Sequence, residues 1–465
     1  MISYPSVDIP ESPSLSLNVT NMSGLVPLLV GRFYRKDGTA VTLKDGLTQM
    51  SDWSTFAEQF LATPLKVVLT EKGEIPARTS TSRTEKESVE PVEAAGGNGV
   101  IEAGEENHPM PIPLTEAHLN TGALTLASYF DNGGGSCYLL SFGENDDSND
   151  ITAQMEEYDK LSLLAVIDAD SVKLSQMNTA LDSFITDYRQ NILLTSEAPD
   201  SSARGRYVNA QHVATYTPDL HLTSSPRLDD NGILIQIENA PTMKSLAEFK
   251  TGNKDEQAIY ATVKTAIEMK GIDYSAVQNP VISPVAAVAG AYCATERLRG
   301  VWQAPANIPL VGVTPTVAIG ETLHGELNSQ GINAILWRPS SASTVIMGAR
   351  TRDVSLTRAW RYVPSRLLFN TVERDVRTML SPMMFEPNVA TAWQLVSAAI
   401  NNYLYLLWKK GGLYGRTSEE AFQVEQPKET ADIDKEILRV RIGLAALRPA
   451  EFIYLEFTQD MSVTA

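Results

Sequence analysis

Two stretches of the sequence carry residue types that could do chemistry. In "VIDAD" the carboxylates Asp168 and Asp170 follow a predicted buried strand, which is where α/β enzymes often hold a metal ion or a ribose. In "FDNGGGSCYLL", residues 130–140, three consecutive glycines expose backbone N–H groups that could bind a phosphate. The first stretch suggests an α/β enzyme with a site near Asp168 and Asp170, and the second suggests a nucleotide-binding loop.

The order of the elements around the glycines argues against a phosphate loop. Such a loop runs from a strand through the glycines into a helix, so that the helix N-terminus faces the anion. Here "NTGALTLASYF" has helical spacing and precedes the glycines, and "SCYLLSF", which is rich in strand formers, follows them. The glycines are therefore predicted to cap a helix C-terminus, where the helix dipole repels anions.

No other residues complete a catalytic or metal-binding set. The five histidines show no metal-ligand spacing; they are His108, His118, His212, His221 and His324. We expect His212 and His221 to share one strand segment and to face opposite sides. The only cysteines, Cys137 and Cys293, are predicted to be buried thiols of a chain made in a reducing compartment. Asp168 and Asp170 are then better explained as turn-initiating residues, and we expect no catalysis, cofactor or metal.

Composition and charge limit the classes to which the protein can belong. A chain of 465 residues is expected to form two or more domains, and its net charge of −18 argues against nucleic-acid binding. Residues 338–416 hold 11 Lys and Arg against 4 Asp and Glu, a net of +7, which leaves −25 for the rest. This asymmetry predicts two surfaces with different partners, and the basic candidates are Arg374, Arg377, Lys409 and Lys410.

The sequence shows no signal-peptide pattern and no apolar window of 18 residues. We therefore expect no membrane insertion, synthesis in the cytoplasm, and release by lysis or within a larger particle.

Hydrophobic periodicity outlines the elements. From 114 to 222, strands alternate with helices, which predicts a mostly parallel sheet covered by helices. Residues 71–113 and 223–282 are polar and interrupted, and we interpret them as two insertions. Strands with a single apolar face are predicted near both termini, in "SLSLNVT" and "EFIYLEF". Their apolar residues are Leu15, Leu17 and Val19, and Ile453, Leu455 and Phe457.

Several motifs together resemble one family. They are "YPSVDIPE", "YFDNGGGSCYLLSF", "VAGAYCATERLRGVWQAPAN" (288–307) and "LRPAEFIYLEF", in this order. They are similar to the contractile tail sheath proteins of myophages, R-type pyocins and extracellular contractile injection systems, such as the antifeeding prophage and the Photorhabdus virulence cassette. The resemblance covers 1–70 and 114–222 loosely and 284–465 closely.

The resemblance implies an α/β fold (α+β overall) with an inner domain of mixed sheet plus helices, terminal strand arms, and an outer α/β domain with two insertions. The implied domains are an N-terminal strand-donating arm (1–24), the outer domain (25–283), the inner core domain (284–448) and a C-terminal arm (449–465).

The implied function is that of a structural subunit of a contractile sheath. It would polymerise by strand exchange around an inner tube and contract to drive the tube through a target envelope. The six apolar arm residues would be the donated strands, and the basic candidates would face the tube or a neighbouring subunit. The implied partners are further copies in stacked hexameric rings, the inner tube protein, related sheath subunits, and baseplate and terminator proteins, within a phage tail or a released tail-like particle.

Three alternatives stay open. A minimal sheath subunit lacks the two insertions, so the chain could instead form a minor sheath-like layer or an adaptor near the baseplate or tail end. The insertions could also be receptor-facing loops of a surface-binding module. The third alternative is the α/β enzyme with a site near Asp168 and Asp170.

Overall fold

The computed structural model describes most of the chain between Gly24 and Pro449. The described residues are 24–63, 65–69, 114–143, 145–185, 191–201, 204–223, 230–237, 243–268, 280–355, 360–381, 390–425 and 440–449.

The described elements alternate between strands and helices. The strands are Pro27–Gly31 (β1), Thr48–Met50 (β2), Leu65–Leu69 (β3), Leu114–Leu119 (β4), Cys137–Ser141 (β5), Leu163–Val166 (β6), Ile192–Ser196 (β7), Val213–Thr217 (β8), Leu220–Leu222 (β9), Ile233–Ile237 (β10), Lys244–Ser245 (β11), Val281–Ile282 (β12), Ile308–Leu310 (β13), Val313–Pro315 (β14), Ile332–Arg338 (β15), Ser343–Met347 (β16), Phe422–Glu425 (β17) and Arg441–Leu444 (β18). The helices are Trp53–Gln59 (α1), Thr121–Asp131 (α2), Ile151–Met155 (α3), Ser171–Phe184 (α4), Leu246–Thr251 (α5), Lys254–Glu268 (α6), Val285–Arg299 (α7), Glu321–Ser329 (α8), Val363–Leu380 (α9), Ala390–Lys409 (α10) and Ser418–Ala421 (α11).

A nine-stranded sheet organises the body, in the order β13-β16-β15-β8-β7-β6-β1-β5-β2. The run from β15 to β5 is parallel, while β2, β16 and β13 are antiparallel additions at the two edges. The predicted mostly parallel α/β sheet is therefore confirmed, with antiparallel edges that make it mixed.

Alternating strand residues divide the core into two layers. Leu29 of β1 and Leu139 of β5 pack on one face of the sheet with α2, α7, α9 and α10. Leu28 and Leu140, their neighbours in sequence, pack on the other face with α3 and α4. Successive side chains of a strand point to opposite faces, so strands covered on both sides must be apolar throughout, as "PLLV" and "LLAV" are.

The glycine turn caps α2, as predicted. Helix α2 ends at Asp131, and Gly133 takes a φ of 87 in the left-handed region. The Gly134 N–H donates to the Tyr129 carbonyl at 3.0 Å, and the Tyr129 hydroxyl donates to the Gly135 carbonyl at 2.9 Å. Strand β5 follows at Cys137, so the order helix–glycines–strand is confirmed and the turn is architectural.

Two predicted regions differ in detail from the structure. The segment expected to hold His212 and His221 on one strand is divided: His212 ends a short 3-10 turn before β8, and His221 lies on β9 in a different sheet. The expectation of opposite faces on one strand is therefore wrong, because Pro218 offers no N–H to continue β8.

The second insertion is also more than a polar loop. Its strand β10 pairs with β3, which in turn pairs with β4.

The nine-stranded sheet crosses the predicted boundary between residues 283 and 284. Strands β13, β15 and β16 come after this boundary and β1, β2 and β5 to β8 before it, yet all contribute to the first hydrophobic core. The division into outer and inner domains stays a prediction. Within the described part of the chain, no helix is long and apolar enough to cross a bilayer.

We predict that Gly290→Ala destabilises the fold, because the added methyl group would force α2 and α7 apart. A Cβ at Gly290 would lie 2.3 Å from the Tyr129 carbonyl oxygen, so the helices must move apart at a cost of about 1–3 kcal/mol. Gly325→Ala on α8 is the matched control, because no atom lies within 4 Å of its Cβ position. There the free energy of unfolding should rise by about 0.5–1 kcal/mol. Urea unfolding measures both, and equal effects would contradict the close approach.

Candidate functional site

Asp168 forms hydrogen bonds with two other residues of the protein. Its carboxylate accepts two hydrogen bonds from the Arg32 guanidinium, at 2.9 and 3.1 Å, and one from the Thr121 hydroxyl at 2.7 Å. The hydrogen bond to Asp168 raises the pKa of Arg32 above its ordinary value. Because Arg32 follows β1 and Thr121 begins α2, Asp168 joins the ends of three elements.

Asp170 caps α4. Its Oδ1 accepts hydrogen bonds from the N–H groups of Lys173 and Val172 at 2.9 and 3.1 Å, and these bonds lower the pKa of Asp170. The turn-initiating role is therefore confirmed for Asp170. Both carboxylates of the proposed enzyme site are engaged by the protein itself. No cluster of three or more potential metal-ligating acids, His or Cys occurs among the described residues.

The C-terminal helices bury the apolar stripes that their sequences predict. Helix α9 buries Leu368, Val372, Val376 and Met379, and α10 buries Val396, Ile400, Leu404 and Leu407. Between the helices, the Tyr403 hydroxyl donates to Asp375 at 2.7 Å.

The four basic candidates do not share one environment. Arg377, Lys409 and Lys410 are exposed. The Nε and Nη2 of Arg374 are instead buried and lack hydrogen-bond partners among the described residues. Burial lowers the pKa of Arg374, and the nearby Asp375, Tyr403 and Glu296 oppose that shift. Arg374 is therefore not part of an exposed basic surface in this chain, whereas the predicted contacts of the other three stay predictions.

A small antiparallel sheet covers these helices. Strand β17 pairs with β18 in the register Phe422↔Leu444 and Val424↔Ile442. The apolar side chains of both strands pack on the main core while their neighbours Gln423, Gly443 and Arg441 are exposed. Strand β17 was not predicted; its signal is the short alternation "FQVE".

Two grooves lie near this two-stranded sheet. Between β18 and α9 the groove has a volume of about 360 Å³ and a mostly apolar lining: Phe369, Val372, Glu373, Val376, Arg377, Ile442 and Leu444. A second groove of about 390 Å³ lies between α10 and α11 and reaches the first residue of β17. It is more polar, lined by Asn401, Asn402, Tyr405, Ser418, Glu419 and Phe422.

This geometry can accept extended polypeptide. Over the part of the chain that is described, the sheet has only these two strands, and a two-stranded ribbon is marginal alone in water. A strand edge presents unpaired N–H and C=O groups to any suitable partner strand. The apolar groove beside β18 can bury the alternate side chains of such a strand.

The predicted donor strands leave the body close to described anchors. The Leu25 N–H donates to the Glu296 carboxylate, and the Ser365 hydroxyl donates to the Leu447 carbonyl at 3.3 Å. The donors themselves, Leu15, Leu17 and Val19 with Ile453, Leu455 and Phe457, lie outside the described residues, so their role stays a prediction.

Comparison with known proteins shows what the chain resembles. A family model for the phage tail sheath C-terminal domain matches residues 355–460. The whole chain is similar to the helical sheath of the anti-feeding prophage (AFP) in its contracted state, with 27% identity, a TM-score of 0.67, and coverage of 99% of this chain and 100% of that one. The chain therefore carries a phage tail sheath C-terminal domain, and over its full length it resembles a contractile sheath protein.

Two further solved structures agree over the full length. A chain of the 6-fold symmetrised AFP baseplate structure is 27% identical with a TM-score of 0.65, and 99% of this chain and 100% of that chain are covered. A chain of the contracted PVC sheath complex, an extracellular contractile injection system, is 26% identical with a TM-score of 0.63 and 99% coverage of both chains. Among curated proteins, no sequence matches. The matched domain contains α9, α10 and the β17–β18 sheet with both grooves.

His212 is a buried titratable group against the sheath domain. It lies in a 3-10 turn that packs on α9, and its Nδ1 is 3.0 Å from the Asn191 carbonyl oxygen, to which it can donate. Burial lowers the pKa of His212 to about 4, and the positive charge of Arg366 acts in the same direction.

We predict that His212 makes the fold sensitive to acid. Between its ordinary pKa of 6.5 and the folded value of about 4, the unfolded chain binds a proton that the folded chain does not. Stability is thus fully present above this window and falls as pH falls through it, by on the order of 3 kcal/mol. Urea unfolding of His212→Gln between about pH 7 and 4 should show a smaller slope with pH. The half-buried His221→Gln is the control, and an unchanged slope in His212→Gln would contradict the assignment.

Proposed function

We propose that the chain forms a contractile sheath by β-strand addition at the β17–β18 sheet. One edge would take the N-terminal strand of a neighbouring copy and the other edge the C-terminal strand of another. The observation that carries this proposal is a two-stranded sheet with an apolar groove beside β18 and a second groove at the start of β17, on the domain that matches the sheath family.

The predicted arms have the chemistry that these edges need. "SLSLNVT" and "EFIYLEF" each supply apolar residues at every second position, and a strand of this kind can lay one face into a groove while its backbone pairs with the edge. Main-chain pairing supplies affinity with little dependence on sequence, and the groove supplies register.

Strand donation between identical chains is a head-to-tail contact. Such contacts propagate into rings or open helical arrays. We infer stacked rings of six subunits around an inner tube, within a phage tail or a released tail-like particle, with baseplate and terminator proteins at the ends. The 6-fold symmetry of the similar AFP baseplate structure supports the ring size.

Contraction would be favourable if the subunits bind one another more tightly in the shortened sheath than in the extended one. Two of the similar structures are contracted sheaths. At roughly 25 cal/mol per Å², about 200 Å² of additional apolar burial gives on the order of 5 kcal/mol per subunit. Strand pairing would act as a tether while the rigid bodies rotate, since the paired backbone does not have to separate.

A second candidate is a sheath-like layer next to the baseplate. The match to a chain in the AFP baseplate structure favours it, because the identity equals that to the helical sheath. Labelling the protein in intact particles by electron microscopy separates the two: label along the whole tail indicates the main sheath, and label at one end indicates the minor layer.

We predict that removing residues 1–22 abolishes assembly while the body still folds. The deletion takes away one donated strand but no described residue, so circular dichroism and the melting temperature should be retained. Negative-stain microscopy should show cylinders or rings for the full chain and compact monomers for the shortened one. Deleting 71–113 is the control and should leave assembly in place; cylinders formed without residues 1–22 would rule out donation by the N-terminal arm.

We predict that Ile442→Ser weakens assembly more than it weakens folding. Ile442 lines the groove beside β18, and a hydroxyl covered there by a donated strand lacks a partner, at about 1–3 kcal/mol. The concentration needed for assembly should rise about tenfold or more, as measured by sedimentation. Val354→Ser replaces an apolar residue that is 62% exposed and should change neither assembly nor folding. Equal effects of both variants would argue against the groove.

A further inference from the structure

The C-terminal ends of two helices meet at the half-buried Trp302. Helix α7 ends at Arg299 and α10 at Lys409. A Cβ at Gly300, just after α7, would lie 2.5 Å from Cζ2 of Trp302, and a Cβ at Gly412, just after α10, would lie 2.9 Å from Cε3 of the same indole. The Trp302 indole therefore lies between the C-terminal ends of the two helices and holds them side by side.

The two ends form one basic patch, which we define as Arg297, Arg299, Lys409 and Lys410. All four are exposed, and none forms an ion pair with a carboxylate of the described residues. The Arg297 Nη2 donates to the Gly133 carbonyl at 3.3 Å, and Lys409 lies over the rings of Trp408 and Tyr405 at 4.8 and 5.4 Å.

Favourable charge at helix C-termini explains part of this patch, because a cation in the last turn of a helix interacts favourably with the helix dipole. It does not explain the apolar residues beside it. Leu298 is 78% exposed and Tyr414 is 69% exposed. Arginine and aromatic residues around exposed apolar side chains are typical of protein interfaces rather than of free surface.

An acidic surface lies on the opposite layer of the same chain. We define the acidic patch as the exposed Asp147, Asp150, Glu156, Glu157 and Asp159 around α3. Helix α3 packs on the second core and α7 on the first. Helices α3 and α7 therefore lie on opposite faces of the nine-stranded sheet.

We propose that the basic patch of one copy docks on the acidic patch of a second copy. Complementary patches on opposite faces of one chain generate a head-to-tail contact, which continues from copy to copy. This inference rests on the proposed function only in that copies assemble. It adds a contact that uses neither the terminal arms nor the grooves of the β17–β18 sheet, and it selects a second copy rather than the inner tube because the complementary surface is present on the chain itself.

The experiment uses four full-length variants. The basic-reversed chain carries Arg299→Glu and Lys410→Glu, and the acid-reversed chain carries Glu156→Lys and Glu157→Lys. The charge-swapped chain carries all four substitutions. The control chain carries Lys36→Glu and Lys254→Glu, two exposed lysines elsewhere, and matches the charge change of the basic-reversed chain. Retained melting temperatures verify that each variant folds.

Self-association is measured by sedimentation from about 0.02 M to about 0.5 M salt, a range over which exposed charges become screened. At low salt each single reversal should raise the concentration for half-association about tenfold or more, since like charges then face each other. The charge-swapped chain should return to within about threefold of the original, and so should the control chain.

Three results would overturn the proposal: a charge-swapped chain that stays impaired, a control chain that is impaired equally, or association of the original chain that does not weaken with salt. Reversed chains that self-associate normally but fail to load on an inner tube would assign the basic patch to the tube instead. Strand addition is tested apart from this, because removal of residues 1–22 should abolish assembly at every salt concentration. If that loss persists while the charge variants behave normally, only the present proposal fails.

Discussion

The proposed assembly depends on one constraint, the unpaired backbone at the edges of the β17–β18 sheet. Each edge carries N–H and C=O groups that need partners, and within the described chain the sheet ends after two strands. Natural proteins usually cover or charge such edges. Here the edge at β18 borders an apolar groove on α9, which favours a further strand. Under the proposed function, a strand of another copy extends this sheet.

The body beneath this sheet is built to move as a unit. The nine-stranded sheet is covered on both faces, and α2 and α7 approach so closely at Gly290 that no side chain fits between them. Asp168, Arg32 and Thr121 tie strand ends to α2 through charge-assisted hydrogen bonds. A stiff body joined to its neighbours by extended strands can rotate without deforming, so strain is confined to the connections between copies.

Local patterns predicted the elements, and the structure shows where such patterns stop being informative. The stripe of Leu368 and Val372 and the cap at Gly133 depend on neighbours within a few residues, so periodicity and turn chemistry reveal them. The pairing of β10 with β3 joins segments more than 160 residues apart, and the meeting of α7 and α10 at Trp302 depends on the packing of the whole core. Arg374 shows the same limit: its charge suggested exposure, but its position on α9 buries it.

Two kinds of contact with different physics would serve a sheath that must both hold together and change length. Strand addition is directional, fixed in register and little affected by salt, because backbone hydrogen bonds and apolar burial carry it. Charge contacts between exposed patches are longer in range and have no fixed register, so they can break and form again at a new rotation. If the paired strands preserve connectivity, then the contacts that differ between long and short arrays must lie on the rigid bodies. The basic patch around Trp302 lies on that body and off the β17–β18 sheet, which makes it the kind of surface on which the length of the array can depend.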